Sequence, residues 1–226
     1  AIETNPRNSL AYFKRGNALS SMSMYGEAVK DFTHAITLNP DFSFVYFKRG
    51  SAYLDMKKYS EAMEDLNIAI SKNPELSFAY HKRGMCYKKL KQIDKALEDF
   101  NKTIDINPGY SQAYLQRGNT FYEKGEYEKA VKDYEQVVKL DPQNETAYIY
   151  LGLALSNIDK LSNAVRAFTQ AIRVNPQSHL AYNYRGLVYT RMKRFEKGVE
   201  SFDKFVELKP DSPDAYNNRG VCYLQM

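Results

Sequence analysis

The chain has 226 residues, 43% apolar and 26% charged, and its 32 basic and 27 acidic residues leave a formal net charge of +5. That composition excludes a disordered chain, and no apolar run approaches the ~20 residues of a membrane-spanning helix. The near balance of charge argues against a nucleic-acid binder while leaving room for an acidic partner.

Read from its start, the chain repeats itself. Tyr12, Tyr46, Tyr80, Tyr114, Tyr148, Tyr182 and Tyr216 are each 34 residues apart, and a Gly follows four residues after each, from Gly16 and Gly50 to Gly220. A Pro closes each unit, from Pro6 through Pro40 to Pro210. A fixed period of this length predicts a stacked helical array, not one or two globular domains. Residues 1–8 read as the close of a preceding unit, because AIETNP at Ala1 matches AITLNP at Ala35. Six full units follow at 9–42, 43–76, 77–110, 111–144, 145–178 and 179–212, and 213–226 supplies the first helix of another. The chain thus reads as a window on a longer array. Ala1 and Ile2, and at the other end Val221 and Tyr223, are expected to present apolar faces that a flanking unit would cover.

Within each unit the apolar residues fall into two blocks at helical spacing, which predicts two helices. Ser9, Ser43, Ser77 and Ser111 are expected to open the first helix, with Pro213 at its first position in the last unit. The turn between helices holds Lys57 and Lys58, or Gly125 and Glu126, and Asn39-Pro40 and its equivalents stop the second helix. Gly109 is expected to take a left-handed cap. A Gly inside a helix costs about 0.5–1 kcal/mol, so its recurrence requires close packing as compensation. The small Ala28, Ala62, Ala96, Ala130 and Ala164, with Gly198 in the sixth unit, are placed opposite it, and Phe32, Leu66, Phe100, Tyr134, Phe168 and Phe202 fill the space beside them.

A second covariation runs through the units. Arg15, Arg49, Arg83 and Arg117 each have an acid sixteen residues on, at Asp31, Asp65, Asp99 and Asp133. In the fifth unit both change together, to Leu151 and Ala167, and in the sixth Arg185 faces Ser201. The pattern predicts an ion pair between the two helices of a unit, contributing about 0–1 kcal/mol if exposed.

This arrangement of Tyr, Gly, large apolar residues, Ala and a final Pro in 34 residues resembles the tetratricopeptide repeat family along the whole chain. Mild departures are Gly198 for Ala, Thr103, Val137 and Phe205 at the second small position, and Arg just before the repeating Gly. The resemblance implies an all-α fold, a right-handed superhelical solenoid of antiparallel helix pairs. Its concave groove, lined by the first helices, would bind a peptide or a partner protein. Counting Ser9 and its equivalents as the first slot, the family's groove positions are slots two, five, six, nine and twelve. The groove candidates carried over by position are Phe13, Lys14 and Asn17; Phe44, Phe47 and Lys48; Phe78, His81 and Lys82; Gln116 and Asn119; Tyr150; Asn183 and Tyr184; Asn217 and Asn218. One half of the face is therefore aromatic with a ladder of Lys, and the other is neutral with Tyr and amides. A relative that clamps a chaperone carboxylate needs Lys in the fifth slot, where Phe13 stands.

No catalytic constellation is visible. His34, His81 and His179 fall in different slots with no acid and hydroxyl pattern and no second metal ligand beside them, so no enzyme, no cofactor, no metal and no small-molecule substrate is expected. The partner class is a protein or peptide. Stacked first helices stand roughly 10 Å apart and an extended peptide advances about 3.3 Å per residue, so a fitting ligand has acids about three residues apart with apolar or aromatic residues between. The alternative role is a structural component of a large cytoskeletal or ciliary assembly that packs through groove and outer faces. Cys86 and Cys222 lie four units apart, too far for a disulfide, which points to a reducing, cytoplasmic setting.

Overall fold

The computed structural model describes residues 5–226, and Ala1 and Ile2, expected to present an apolar face, lie outside the described residues. Among the described residues all regular structure is helical: α1 Ser9–Ser21, α2 Tyr25–Leu38, α3 Ser43–Asp55, α4 Tyr59–Lys72, α5 Ser77–Lys89, α6 Ile93–Ile106, α7 Ser111–Glu123, α8 Tyr127–Leu140, α9 Glu145–Asn157, α10 Leu161–Val174, α11 His179–Arg191, α12 Phe195–Leu208 and α13 Pro213–Gln225. The chain is an all-α solenoid that divides into two compact units, one reaching Ala113 and the other spanning Tyr114–Met226. In the first unit each helix packs on the next from α1 to α6, and α1, α3 and α5 also touch one another in turn. In the second unit the same holds from α8 to α13, with α9, α11 and α13 in contact. Contact between odd-numbered helices gives each unit a continuous face built from first helices.

The turns within the helix pairs are fixed by backbone geometry. Ser23, Lys57, Lys91, Gly125, Asp159 and Lys193 all have φ between +55° and +78°, one per pair at the same position. After α1, Met24 N–H bonds to Leu19 C=O at 2.9 Å and Ser23 N–H to Ser20 C=O at 3.0 Å, the Schellman closure of a helix by a left-handed residue. Gly109 does not adopt this conformation, contrary to expectation. The turn between pairs is instead an Asx turn in most units: the Asn73 side chain accepts from Glu75 N–H at 3.1 Å and that of Asn175 from Gln177 N–H at 3.0 Å. The caps also lie one residue earlier than expected, since Asn8, Asn144 and Ser178 accept from Ala11, Ala147 and Ala181 N–H. Phe42 and Leu76 occupy the same position without a side-chain cap, so packing rather than capping sets those helix starts.

From Gly16 to Gly186 the nearest atom to a Cβ on the repeating Gly belongs to the large residue sixteen positions on, joined at Gly50 by the Ala62 carbonyl at 3.1 Å. A Cβ on Gly16 would lie 2.7 Å from the Phe32 ring, and one on Gly152 or Gly186 would lie 2.6 Å from Phe168 or Phe202. The rings stand edge-on over bare backbone and are fully buried, as are Ala28, Ala62, Ala96, Ala130 and Ala164. Gly198 differs, because a Cβ there would meet Cys222 Sγ at 2.8 Å. Cys86 and Cys222 are free and buried.

Candidate functional site

The Arg and Asp pairs lock the wall behind each face. The four aspartates are 3–4% exposed. Each accepts two hydrogen bonds, from Nε and Nη2 of Arg15, Arg49, Arg83 or Arg117, at 2.6–2.9 Å. The remaining arm reaches the preceding pair, where Arg49 Nη1 donates to Thr33 Oγ1 at 3.0 Å and Arg83 Nη1 to Asn67 Oδ1 at 2.7 Å. The same guanidinium groups lie 5.4–5.8 Å from the Tyr46 and Tyr80 ring centroids. Arg49 and Arg83 therefore each tie three helices together. The expectation of weak exposed pairs is corrected, because an acid this buried loses several kcal/mol when left unpaired. Burial pushes Asp99 and Asp133 above the ordinary carboxylate range even though Arg83 and Arg117 pull the other way.

On the face of the first unit, aromatic rings run from helix to helix. Phe13 lies 5.1 Å from Phe42 and 5.9 Å from Phe44; Phe44 is 5.2 Å from Phe47; Phe47 is 6.3 Å from Phe78; and Phe78 is 5.2 Å from Tyr110. In slot five of this unit Phe47 is 7% and His81 5% exposed, so these two groove candidates are largely interior. They are seated under Phe44, Phe78 and Tyr110, which come from the slot one turn earlier and from the turn between pairs. His81 stands edge-on to Tyr110 at 5.0 Å, and its Nδ1 has no hydrogen-bond partner. Burial, with help from Lys82, pushes its pKa down to about 4. Phe78 is the exposed ring of the set.

Above these rings lies a cavity of about 320 Å³ lined by Asn17, Ser20, Tyr25, Lys48, Ser51 and Lys82, among others. The Lys48 ammonium is 5.3 Å from the Phe44 centroid and 5.6 Å from that of Phe47. Burial and the nearby Lys82 charge push the Lys48 pKa down, which places two like charges in one pocket. Neither Lys has an ion-pair partner among the described residues, although Asp55 also lines the cavity. Lys14 is exposed and does not line it.

The face of the second unit is different. A cavity of about 510 Å³ is walled by Leu153, Phe168, Tyr184, Leu187 and Val188, with Ser156, Asn157, Thr190 and Arg191 beside them. Tyr184 stacks on Phe168 at 5.7 Å and Tyr150 on Tyr134 at 5.8 Å. Several amides are already engaged: Asn119 Oδ1 accepts from Tyr134 Oη at 2.8 Å, and Asn218 Nδ2 donates to Asn183 Oδ1 at 3.0 Å. Gln116 is half-buried and Asn217 exposed. Arg191 Nη1 donates to Ser156 Oγ at 2.6 Å and Asn157 Nδ2 to Tyr122 Oη at 3.1 Å. Leu153, Leu187, Ser20, Ser51 and Tyr25 were missed by the sequence reading. All but Tyr25 are in slots nine and twelve, whose residues could have been read as slots five and six were. Among the described residues no three His, Cys, Asp or Glu gather as a metal site, and no helix is long and apolar enough to cross a membrane.

Pairs of antiparallel helices, each closed by a left-handed turn and stacked at a constant period, define a helical-repeat protein. Tetratricopeptide-repeat models match residues 9–42 and 77–110, 45–75, 118–159 and 157–213. The chain belongs to the tetratricopeptide repeat family, whose general role is protein–protein interaction. No curated protein sequence matched it. Among solved structures it is similar to the C-terminal part of a TPR repeat-containing protein from Cytophaga hutchinsonii, at 20% identity and a TM-score of 0.78, covering 91% of this chain and 83% of that one. It is similar to YrrB, described as a TPR protein with an unusual peptide-binding site, at 20% identity and a TM-score of 0.75, over 84% of this chain and 97% of that one. MamA from Desulfovibrio magneticus RS-1 matches at 21% identity and a TM-score of 0.69, over 76% and 97%. At these identities the likeness is one of fold.

Proposed function

We propose that this chain is a non-catalytic interaction scaffold whose first unit binds an acidic, aromatic-bearing peptide across α1, α3 and α5. The observation that carries this reading is the Lys48 and Lys82 pocket. Two ammonium groups without an ion-pair partner among the described residues, with Asp55 the one acid of the lining, share about 320 Å³ with hydroxyl and amide groups and the Phe47 ring, and Lys48 stands 5.3 Å from the Phe44 centroid. A ligand carboxylate would relieve the repulsion between them, and a neighbouring ligand ring would bury against Phe78. The peptide-binding site named for YrrB, a protein of similar fold, supports a peptide as the ligand class. The Asn and Tyr positions of the second unit, Tyr150, Asn183, Tyr184, Asn217 and Asn218, would contact an uncharged stretch of partner. Two unpaired buried thiols fit a cytoplasmic setting.

The test is titration with a synthetic peptide carrying Glu at every third residue and Phe or Leu between. Lys48→Ala/Lys82→Ala should weaken binding about tenfold at low salt and flatten its salt dependence, because both contacts are partly screened. Phe78→Ala should weaken it at every salt concentration. Equal binding by the parent and both variants would remove this reading and favour the role of an assembly component held through other faces.

A further inference from the structure

In six repeats a guanidinium stands over the repeating Tyr. Arg15, Arg49, Arg83, Arg117, Arg185 and Arg219 each lie 5.4–5.8 Å from the ring centroid of the Tyr three residues earlier. Arg49, Arg83 and Arg219 also reach back to the preceding repeat, where Thr33, Asn67 and Asp203 accept from Nη1 at 2.7–3.0 Å. The fifth repeat, 145–178, has Leu151 in place of the Arg. Among the described residues no cation then stands over Tyr148, and Glu135, at the position equivalent to Thr33 and Asn67, has no ion pair and no side-chain hydrogen bond.

What remains is an opening of about 250 Å³ walled by Glu135 of α8, Tyr148, Leu151 and Leu155 of α9, and Arg166 and Ala167 of α10. It is internal to the array, because α8 packs on α9 and α10 packs on α11. Nor does it belong to the face built from first helices, since its three α9 residues occupy slots four, seven and eleven. Leu151, Leu155 and Ala167 are 4–7% exposed and form an apolar floor, whereas Glu135 and Arg166 are exposed. An aromatic ring, a carboxylate and an aliphatic floor together are complementary to an Arg side chain, whose planar group stacks and donates while its methylenes cover the leucines. A Lys ammonium would meet the carboxylate without the planar fit. Arg166 has no ion-pair partner among the described residues, so it opposes a lone cation and favours one carried beside an acid.

We propose that the fifth repeat is a docking site for an arginine side chain of a partner polypeptide, flanked in that partner by an acid. The guanidinium lies on Tyr148 and donates to Glu135, its methylenes cover Leu151 and Leu155, and the flanking acid pairs with Arg166. The site shares no residue with the Lys48 pocket and does not depend on the reading given to it.

The probe is the peptide acetyl-Gly-Arg-Glu-Gly amide, titrated against the full chain while the Leu151 and Leu155 methyl resonances are followed. Saturable shifts of both are expected at millimolar peptide, since one side chain on an open surface carries little affinity. The same peptide with citrulline, the neutral isostere of arginine, should bind about tenfold more weakly, as should the arginine peptide with Glu135→Gln. Leu151→Arg/Ala167→Asp installs the fork that Arg117 and Asp133 make in the fourth repeat. It should leave the chain folded and abolish binding, because the chain's own guanidinium then fills the opening. Should that variant fail to fold, Glu135→Gln and the citrulline peptide decide the matter. No saturable shift would overturn the proposal, as would equal binding of the citrulline peptide or undiminished binding to either variant. Self-association of the chain that is lost in Glu135→Gln would assign the opening to a second copy and overturn it equally.

Discussion

The two units are made from one repeat, but they secure their helix pairs differently. In the first, every complete pair carries a buried Asp gripped by an Arg, at Asp31, Asp65 and Asp99. In the second, only Arg117 and Asp133 keep that form; Leu151 and Ala167 replace it with apolar packing, and Arg185 makes a single 3.2 Å bond to Ser201 Oγ. The polar fork and the apolar pair therefore occupy the same site in the same fold. The geometry of the helix pair does not need the charges, but once the Asp is buried its partner becomes indispensable.

Breaking one partner should have the largest effect. Arg83→Leu leaves Asp99 buried and unpaired and should cost about 3 kcal/mol, measured by chemical denaturation. The double change Arg83→Leu/Asp99→Ala copies the Leu151 and Ala167 pair and should recover most of that loss. In the single variant burial, joined by the neighbouring Glu98 charge, acts on Asp99 unopposed by Arg83, so its carboxyl rises further above the ordinary range. A raised carboxyl favours folding below the unfolded-state value and loses that advantage as pH rises, so the deficit should be greatest near neutrality and shrink in acid. A double variant as unstable as the single one would show that the units differ in more than this site.

Slot five offers a comparison that pH can sharpen. His81 occupies it in the first unit, where Leu115 and Ile149 occupy it in the second, all three buried. The folded His81 pKa of about 4 lies below the ordinary 6.5, so its contribution is present above pH 6.5 and is lost as pH falls toward 4. The loss could reach about 3 kcal/mol. His81→Leu should remove this acid-dependent step from urea melts taken between pH 4 and 7. Near neutrality it should add about 1 kcal/mol, because the unbonded Nδ1 disappears from the core. An unchanged pH profile would show that His81 is not what limits the first unit in acid.

These differences mark what could be read beforehand. The helix pairs, the repeating Gly and the Arg–Asp pairs were legible, because aligning the repeats with one another makes any position that varies in concert visible. The depth of the pairs was not, since burial depends on Tyr46 and Tyr80 covering the guanidinium groups from the same helix. Nor was the interior position of Phe47 and His81, because the rings that cover them, Phe44, Phe78 and Tyr110, include a residue of a turn, which carries no helical period. The pocket at Lys48 needs side chains from four helices to converge, and spacing along one helix reports only one of its walls.

The smallest expected effect separates the units at their turns. The left-handed position within each pair is Ser23, Lys57 and Lys91 in the first unit, and Gly125, Asp159 and Lys193 in the second. A side chain with φ near +60° crowds its own carbonyl, at a cost of about 1–2 kcal/mol that Gly avoids. Gly in turn has more unfolded freedom to lose, which returns about half of that gain. Lys57→Gly and Lys91→Gly should therefore each stabilise the chain by about 0.5–1 kcal/mol. Gly125→Lys should destabilise by a similar amount, although nothing lies within 4 Å of where its Cβ would stand, so the effect is backbone strain and not collision. Asp159→Gly should gain least, because Asp is among the residues that tolerate this conformation and its carboxylate accepts from Arg191 Nη2 at 3.3 Å. Thermal melts of the four variants rank them directly. If Lys57→Gly destabilised the chain while Gly125→Lys did not, the turn would be held by side-chain contacts rather than by its φ, and the shared position of these residues would lose its meaning as a common closure.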